Sequence, residues 1–190
     1  MFNLTPVVRN IIFVTVAVFI IQTLIGPASG YLSLHAINSG DFRPYQFLTY
    51  MFAHGGFMHI LFNMLTLASI APILEAYWGD KKFLIFYLAT GIGAGVIYAL
   101  VNLFLGGNPL GTMLGASGAI YGVLMAFGLT FPNMQVSMLF IPMPAKYLVF
   151  VVGIMTYLLD RSGQVAHLAH FGGALIGFIL VSAWRGQDRR

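Results

Sequence analysis

A few polar side chains interrupt the long apolar stretches of this sequence, and their types could support nucleophilic chemistry. They are His59, Asn63, Ser117, His167 and His170. A polar group in an apolar segment needs a hydrogen-bond partner, and a serine hydroxyl becomes a nucleophile when an imidazole accepts its proton. Ser117 and His170 are therefore candidates for a nucleophile and its general base, provided that two chain segments can bring them together.

The residues that flank both candidates would let two helices approach closely. The small residues are Gly115, Gly118 and Gly122 around Ser117, and Ala166, Gly173 and Gly177 around His170. Gly118 and Gly122 form a G-x-x-x-G pair, and the second set follows one helical face. Bulky side chains at these positions would hold the backbones apart, whereas a hydroxyl and an imidazole must come within about 3 Å of each other to share a proton.

The composition indicates the environment of these segments. The chain has 190 residues, of which 59% are hydrophobic and 7% are charged, and its mean hydropathy is +0.88. Soluble domains are about 25% charged, so we expect an integral membrane protein. The absence of cysteine excludes thiolate nucleophiles, disulfides and cysteine metal sites. The positive residues form no basic stripe, so no nucleic-acid partner is expected.

Six apolar segments predict membrane-embedded helices, and turn-forming residues separate them. The segments cover approximately residues 8–26, 57–77, 82–105, 115–131, 146–159 and 165–184. We expect an all-α membrane bundle in which residues 1–190 form a single domain.

The lysines and arginines predict the direction of the spans. With a cytoplasmic N-terminus, seven of them lie at inside ends and two lie outside, which is the positive-inside pattern. Both termini are then cytoplasmic. The apolar and aromatic segment 27–56 is extracytoplasmic, and we expect it to pack against the bundle or to lie in the membrane interface.

The fourth span is short for a helix that crosses a bilayer. Ala116 to Phe131 is 16 residues, or roughly 24 Å, against a hydrocarbon core of about 30 Å. Pro132 ends the span on the cytoplasmic side, so its N-terminus lies below the outer surface. Ser117 would then stand at a sunken helix start, where unpaired N–H groups and the positive end of the helix dipole stabilise an oxyanion.

Three motifs, in this order along the chain, resemble those of the rhomboid proteases. His59-Ile60-Leu61-Phe62-Asn63 fits H-x-x-x-N, Gly115-Ala116-Ser117-Gly118 fits G-x-S-G, and Ala169-His170-Phe171-Gly172-Gly173-x-x-x-Gly177 resembles the pattern of their last helix. The resemblance covers the chain from Tyr45 onward. One departure lies in the first outer loop, where the family often has Trp-Arg and this sequence has Tyr45-Gln46.

This resemblance implies a six-helix bundle of the bacterial type that works without a cofactor or a metal. It implies an intramembrane serine endopeptidase whose substrates are transmembrane segments of other proteins, cleaved within the lipid bilayer near the extracytoplasmic face. We therefore expect a multi-pass protein of a bacterial or archaeal cell membrane.

The resemblance also implies roles for individual residues. Ser117 would attack the scissile carbonyl and His170 would take its proton. His59, the Asn63 amide and the backbone N–H of Ser117 would stabilise the oxyanion. Tyr121 would pack on the catalytic imidazole in place of a third carboxylate. The supporting positions are Tyr121, Gly115, Gly118, Gly173 and Gly177.

Four further features receive less specific predictions. We expect His167 to be an accessory residue near the outer mouth of the site, and His54 to serve the structure of the loop before the second span. Glu75 resembles a family glutamate that braces loops. The loop 160–165 is predicted to act as a movable lid over the substrate entrance.

Two other functions are compatible with parts of the pattern. A non-catalytic rhomboid relative could act as a membrane chaperone or client binder, although such a protein would be expected to lose the serine or the histidine. A small metal transporter could use His54, His59, His167 and His170, but no intramembrane carboxylate is available to complete its site.

Overall fold

Helices form most of the molecule. The computed structural model describes residues 3–26, 28–105, 111–138, 141–159 and 164–187. The helices are α1 (Pro6–Leu24), α2 (Ala28–Leu32), α3 (Gln46–Thr49), α4 (Phe57–Trp78), α5 (Asp80–Phe104), α6 (Ser117–Thr130), α7 (Leu148–Leu159) and α8 (Gln164–Gln187). Each predicted span coincides with one of the six long helices in the described residues, and the ends differ by at most three positions.

The long helices fall into two length classes. Within the described residues, α1, α4, α5 and α8 are long and apolar enough to cross a membrane. Helices α6 and α7 have 14 and 12 residues. At a rise of 1.5 Å per residue, α6 is about 21 Å long, against a hydrocarbon core of about 30 Å. Helix α6 is therefore as short as the sequence predicts for this segment, and its role as a membrane span stays a prediction.

Helix α6 packs against both α5 and α8, and these two helices also pack against each other. Ten of its 14 residues are buried. A Cβ atom on Gly122 would lie 2.6 Å from the side chain of Thr90 on α5, and one on Gly177 of α8 would lie 2.8 Å from the Gly122 carbonyl oxygen. Real Cβ atoms need more room than this, so only glycine permits these approaches. The predicted contact between the small-residue faces of the fourth and sixth spans is confirmed.

The segment between α1 and α4 packs against the bundle as predicted. Tyr50 and Met51 have no exposed surface. The Tyr50 hydroxyl donates a hydrogen bond of 2.6 Å to the Gly91 carbonyl of α5, which anchors the segment to the helix behind it. Strand β1 (Leu34–His35) pairs antiparallel with β2 (Thr112–Met113), the two-residue strand just before α6. The segment is thereby attached to the chain that leads into Ser117.

Gln46 braces this segment at the position where the family often has arginine. Its side chain is 1% exposed. Its amide oxygen accepts hydrogen bonds from two backbone N–H groups and its amide nitrogen donates to two carbonyls. The partners are His35 (3.3 Å), Arg43 (3.0 Å), Tyr31 (3.5 Å) and Asp41 (3.1 Å). An amide, with two acceptor and two donor positions, can satisfy all four backbone groups at once.

A pair of short strands before α7 was not predicted. Strands β3 (Gln135–Met138) and β4 (Ile141–Pro144) pair antiparallel and lead through a single 3₁₀ turn into α7. They lie in the connection between the fourth and fifth predicted spans, for which no structure was predicted. In the lid predicted for 160–165, residues 160–163 lie outside the described residues.

Glu75 caps the N-terminus of α1. Its carboxylate is 1% exposed and accepts hydrogen bonds from the Thr5 hydroxyl at 2.6 Å and from the backbone N–H groups of Val7 and Val8 at 2.9 and 2.8 Å. These N–H groups have no partner within their own helix, and the dipole at a helix N-terminus favours a negative charge. The bracing role predicted for Glu75 therefore acts on a helix start, not on a loop.

Candidate active site

Ser117 is the first residue of α6, as predicted, and a tight turn presents it. Gly115 has a φ of +117°, a backbone conformation that favours glycine. Its N–H donates to the Tyr50 carbonyl at 2.9 Å. Ile120 makes the first intrahelical bond of α6, to the Ala116 carbonyl at 3.0 Å. The N–H groups of Ser117 and of the next two residues therefore come before the first intrahelical hydrogen bond. They can donate hydrogen bonds to a negatively charged group.

His170 lies on α8, in the first two turns of a helix whose backbone touches that of α6. A Cβ on Gly173 would lie 1.8 Å from the Gly118 carbonyl oxygen, and one on Gly118 would lie 3.6 Å from the Ala169 carbonyl oxygen. The residues next to Ser117 and His170 in sequence are therefore in contact across this interface, which brings the two helix segments that carry the pair together.

Tyr121 supports the His170 ring as predicted for that position. The two ring centroids are 4.2 Å apart and the planes differ by 10°, a stacked arrangement. On the other side of α6, the Tyr121 hydroxyl lies 2.8 Å from the Thr156 hydroxyl on α7. Thr156 already donates its single proton to the Val152 carbonyl at 2.8 Å. The Tyr121 hydroxyl must therefore be the donor in its bond to Thr156.

His59 and Asn63 lie on α4, one turn apart, close to the turn before Ser117. The Gly55 N–H donates to His59 Nδ1 at 3.4 Å, so the proton of a neutral ring lies on Nε2. A Cβ on Gly115 would lie 2.7 Å from that Nε2. Asn63 is 7% exposed and its amide donates to the His59 carbonyl at 2.8 Å. An amide nitrogen carries two protons, so this bond uses only one of them.

His54 holds the backbone just before Ser117. Its Nδ1 lies 3.2 Å from the Phe52 carbonyl, which can only accept, so Nδ1 carries the proton and Nε2 accepts from the Ala116 N–H at 3.4 Å. Burial, with a smaller contribution from nearby His59, lowers the pKa of His54 to about 4. The neutral imidazole that this network needs is therefore the form present at neutral pH.

His167 has a different neighbour from the other predicted site residues. Its ring lies 5.0 Å from that of Tyr157 on α7, with an interplanar angle of 46°. This contact places His167 on the side of α8 that faces α7. The accessory role remains a prediction.

Three residues support the site although no such role was predicted for them from the sequence. Gln22 on α1 accepts from the His54 N–H at 3.1 Å and donates to the Ser29 hydroxyl at 2.9 Å. The others are Gln46, which braces the outer segment, and Thr156, which holds Tyr121. Gln22 carried a readable signal, since it is an amide within the first apolar span.

The described part of the chain contains no group of three or more histidine, aspartate or glutamate side chains that could hold a metal ion together. His54 and His59 are neighbours, with ring centroids 5.0 Å apart, and both nitrogens of His54 and Nδ1 of His59 face backbone groups. The arrangement is suited to proton transfer and to hydrogen bonding of an anion.

The sequence matches a family model described as Rhomboid domain over residues 41–186. The putative rhomboid protease YdcA of Bacillus subtilis is 33% identical over 141 residues, which are 72% of this chain and 67% of that protein. RHOMBOID-like protein 4 of Arabidopsis thaliana is 31% identical over 83% of this chain and 41% of its own length. The mitochondrial rhomboid protein 1 of Saccharomyces cerevisiae is 31% identical over 67% of this chain and 38% of its own length. The chain thus spans less than half of the last two relatives.

Proposed function

The chain belongs to the rhomboid family, and we propose that it is a serine endopeptidase that cleaves transmembrane segments with Ser117 as nucleophile and His170 as general base. One observation carries the proposal. The backbone of α8 at Gly173 packs directly on the Gly118 carbonyl of α6. This contact supports a hydrogen bond between the serine that opens α6 and the histidine one turn before Gly173.

In the proposed reaction, Ser117 Oγ bonds to the scissile carbonyl carbon while its proton passes to His170. The tetrahedral intermediate then expels the amine as the C–N bond breaks, and His170 gives its proton to that amine. Water attacks the resulting ester with His170 as base, and the acyl C–O bond breaks to restore the Ser117 hydroxyl and release a carboxylic acid. Stacking on Tyr121 keeps the imidazole oriented through both proton transfers.

The oxyanion formed in both steps would be stabilised by His59 Nε2, the second amide proton of Asn63 and the backbone N–H of Ser117. These groups come from α4 and from the start of α6, and Gly115 lets the His59 ring approach the turn. Donors that are already oriented stabilise a developing charge without reorganisation, which is why they contribute strongly to rate.

We also propose how the protein is arranged in the membrane. Residues 1–190 would form one rhomboid domain with six spans, both termini would be cytoplasmic, and the site would open to the extracytoplasmic face. The seven-to-two distribution of lysine and arginine supports this direction. The substrates would be transmembrane segments that unwind locally, because a helix keeps its carbonyls in hydrogen bonds. A bacterial or archaeal cell membrane is the proposed location.

Labelling with a fluorophosphonate tests the nucleophile directly. The wild-type protein in detergent should be labelled on Ser117, and Ser117→Ala should lose the label. Ser69→Ala is a matched control, because Ser69 lies exposed on α4 and its hydroxyl bonds only its own helix at the Leu65 carbonyl among the contacts described. Ser117→Ala and His170→Ala should also fail to cleave a reporter transmembrane substrate while remaining folded. Retained cleavage by either variant would refute the dyad.

Asn63→Ala tests the oxyanion site separately. Removal of one oxyanion donor should lower kcat about 100-fold with little change in KM, because the contact strengthens in the transition state. An unchanged kcat would assign Asn63 a structural role only.

The main alternative is a rhomboid relative without catalytic activity that binds membrane clients. Such a protein would bind reporter segments without cleaving them and would not react with the fluorophosphonate. A histidine-based metal transporter is less well supported, because the described histidines 54 and 59 bond backbone groups. Cleavage that is insensitive to chelators would separate the protease from that function.

A further inference from the structure

A cluster of tryptophans lies at the end of the bundle opposite Ser117. Trp78 ends α4 and Trp184 lies near the end of α8, whereas the candidate site is built at the starts of α4, α6 and α8. The two indole rings meet edge to face, with centroids 5.5 Å apart. Phe86 of α5 packs on both, at 5.1 and 5.8 Å. The rings are therefore held in place from behind, and the proteolytic chemistry makes no use of them.

Basic side chains converge on these rings. The Lys82 ammonium lies 4.5 Å from the Trp184 ring centroid and 6.0 Å from that of Trp78, both within cation–π range. Lys81 lines the same cavity, which has a volume of about 530 Å³. Asp80 also lines it, in the first turn of α5, where an acidic group interacts favourably with its own helix dipole.

A smaller cavity of about 290 Å³ shares Lys82 and both tryptophans with the first and is bordered by Arg185. The Arg185 guanidinium donates to the Leu129 carbonyl near the end of α6, so its position is fixed at the last turn of that helix. Three cations and one carboxylate thus line the two cavities on either side of the shared tryptophans.

We propose that the two cavities, which share Lys82, Trp78 and Trp184, form one site that binds the headgroup of an anionic phospholipid. Lys81, Lys82 and Arg185 would meet the phosphate, and the tryptophans would meet the glycerol and the first acyl carbons. Basic pockets between transmembrane helices favour anionic headgroups, and indole rings favour the level of the membrane interface. The site is independent of the proposed proteolysis, since it uses none of the same residues.

The surroundings favour a lipid over a free phosphate ion. Ile85, one turn after Lys82, lines the cavity and is 52% exposed. Tyr77 on the neighbouring helix is 65% exposed and borders the smaller cavity. An apolar path therefore continues from the charged mouth along the helix surfaces, where acyl chains would lie. A soluble phosphate would gain nothing from that path.

Trp78 and Trp184 are the only tryptophans in the sequence, so intrinsic tryptophan fluorescence reports on this cavity alone. The full-length protein would be placed in phosphatidylcholine vesicles that contain small fractions of phosphatidylglycerol brominated on its acyl chains near the glycerol. We expect saturable quenching at a few mole per cent of this lipid, and weaker, non-saturating quenching by equally brominated phosphatidylcholine. Equal quenching by the two lipids would overturn the proposal. It would mean that the two tryptophans only lie at the membrane interface and do not select an anionic lipid.

Lys82→Gln removes one charge from the cavity and should weaken the apparent affinity for phosphatidylglycerol about fivefold. Lys146→Gln is the matched control, because Lys146 also lies over an aromatic ring, that of Tyr147 at 5.2 Å, but outside the cavity. Unchanged affinity in Lys82→Gln, or equal loss in Lys146→Gln, would contradict the site. Inorganic phosphate added to the vesicles should not relieve the quenching; relief at millimolar concentration would identify a soluble phosphate as the occupant instead.

Discussion

Helix α6 is held by α8 and by α7 in different ways. Along α8 the two backbones touch through glycines, with Gly173 against the Gly118 carbonyl and Gly177 against that of Gly122. Helix α7 packs on α6 less extensively than α8 does, and the described polar link between them is the hydrogen bond from Tyr121 to Thr156.

The difference between the two interfaces corresponds to two requirements of the proposed reaction. The nucleophile and its base must keep one geometry, and a backbone contact without intervening side chains allows little adjustment. A membrane substrate must also reach them, and an interface held by side chains can open and close again. Much of the outer face of α7 is apolar and exposed, as at Phe150 (62%) and Leu158 (72%), so it loses few contacts if it moves within lipid.

The largest effect is expected from Gly173→Ala. The added methyl group would lie 1.8 Å from the Gly118 carbonyl oxygen, and because that atom belongs to a helix backbone the helices themselves must separate. A displacement of about 1 Å at reacting groups can cost about 100-fold in rate. We therefore expect kcat to fall at least that far in a reporter cleavage assay, together with a lower Tm.

Gly153→Ala is the control on the other interface. Its Cβ would lie 3.8 Å from the Tyr121 ring, an ordinary contact, so kcat should stay within about twofold of the wild-type value. If Gly173→Ala cleaved as fast as the wild type, the backbone contact would not set the geometry of the pair.

A second test asks whether the turn before Ser117, which His54 holds, is as rigid as the contact between α6 and α8. The pKa of His54 is lowered to about 4 in the folded protein, against about 6.5 in an unfolded chain. Between these two values the unfolded chain binds more protons than the folded protein. Above pH 6.5 protonation of His54 therefore costs no stability, and the free energy of unfolding falls as the pH drops towards 4. The loss should be no more than about 3 kcal/mol.

Thermal unfolding in detergent between pH 7.5 and 4 measures this loss. His54→Gln keeps an acceptor but does not titrate in this range, so its stability should vary less with pH than that of the wild type. Parallel curves for the two proteins would mean that His54 does not couple the turn to pH.

A third substitution measures how far the effect of the α6–α8 contact extends from the dyad. A Cβ on Gly177 would lie 2.8 Å from the Gly122 carbonyl oxygen, one turn farther along both helices. Gly177→Ala should lower the Tm as overpacked cores do, but reduce kcat only about tenfold. A loss of kcat as large as that of Gly173→Ala would indicate that the whole interface acts as one unit.

The two interfaces also differ in how much of them the sequence predicts. The glycines of α6 and α8 repeat at helical spacing, so a local pattern is enough to predict their packing, and the short apolar segment before Pro132 predicts the helix start at Ser117. Thr156 gave no such signal, because a threonine in a helix can bond its own backbone, as it does at Val152. Gln22 did indicate a need for a partner, but that partner, His54, lies 32 residues away and only the fold identifies it.

The hydrogen bond between Tyr121 and Thr156 gives the most specific test of the looser interface. Thr156→Val keeps the shape of the side chain and removes the acceptor for the Tyr121 hydroxyl. A net contribution of about 1 kcal/mol to orienting the ring that stacks on His170 corresponds to a fall in kcat of about fivefold.

Thr156→Ser restores the hydroxyl and should restore kcat, and neither variant should change the Tm as much as Gly173→Ala does. If valine and serine behaved alike, the ring would be held by stacking on His170 alone. If Thr156→Val instead raised the rate on long transmembrane substrates and lowered it on short ones, movement of α7 would limit access, and the bond would restrain that movement as well as orient Tyr121.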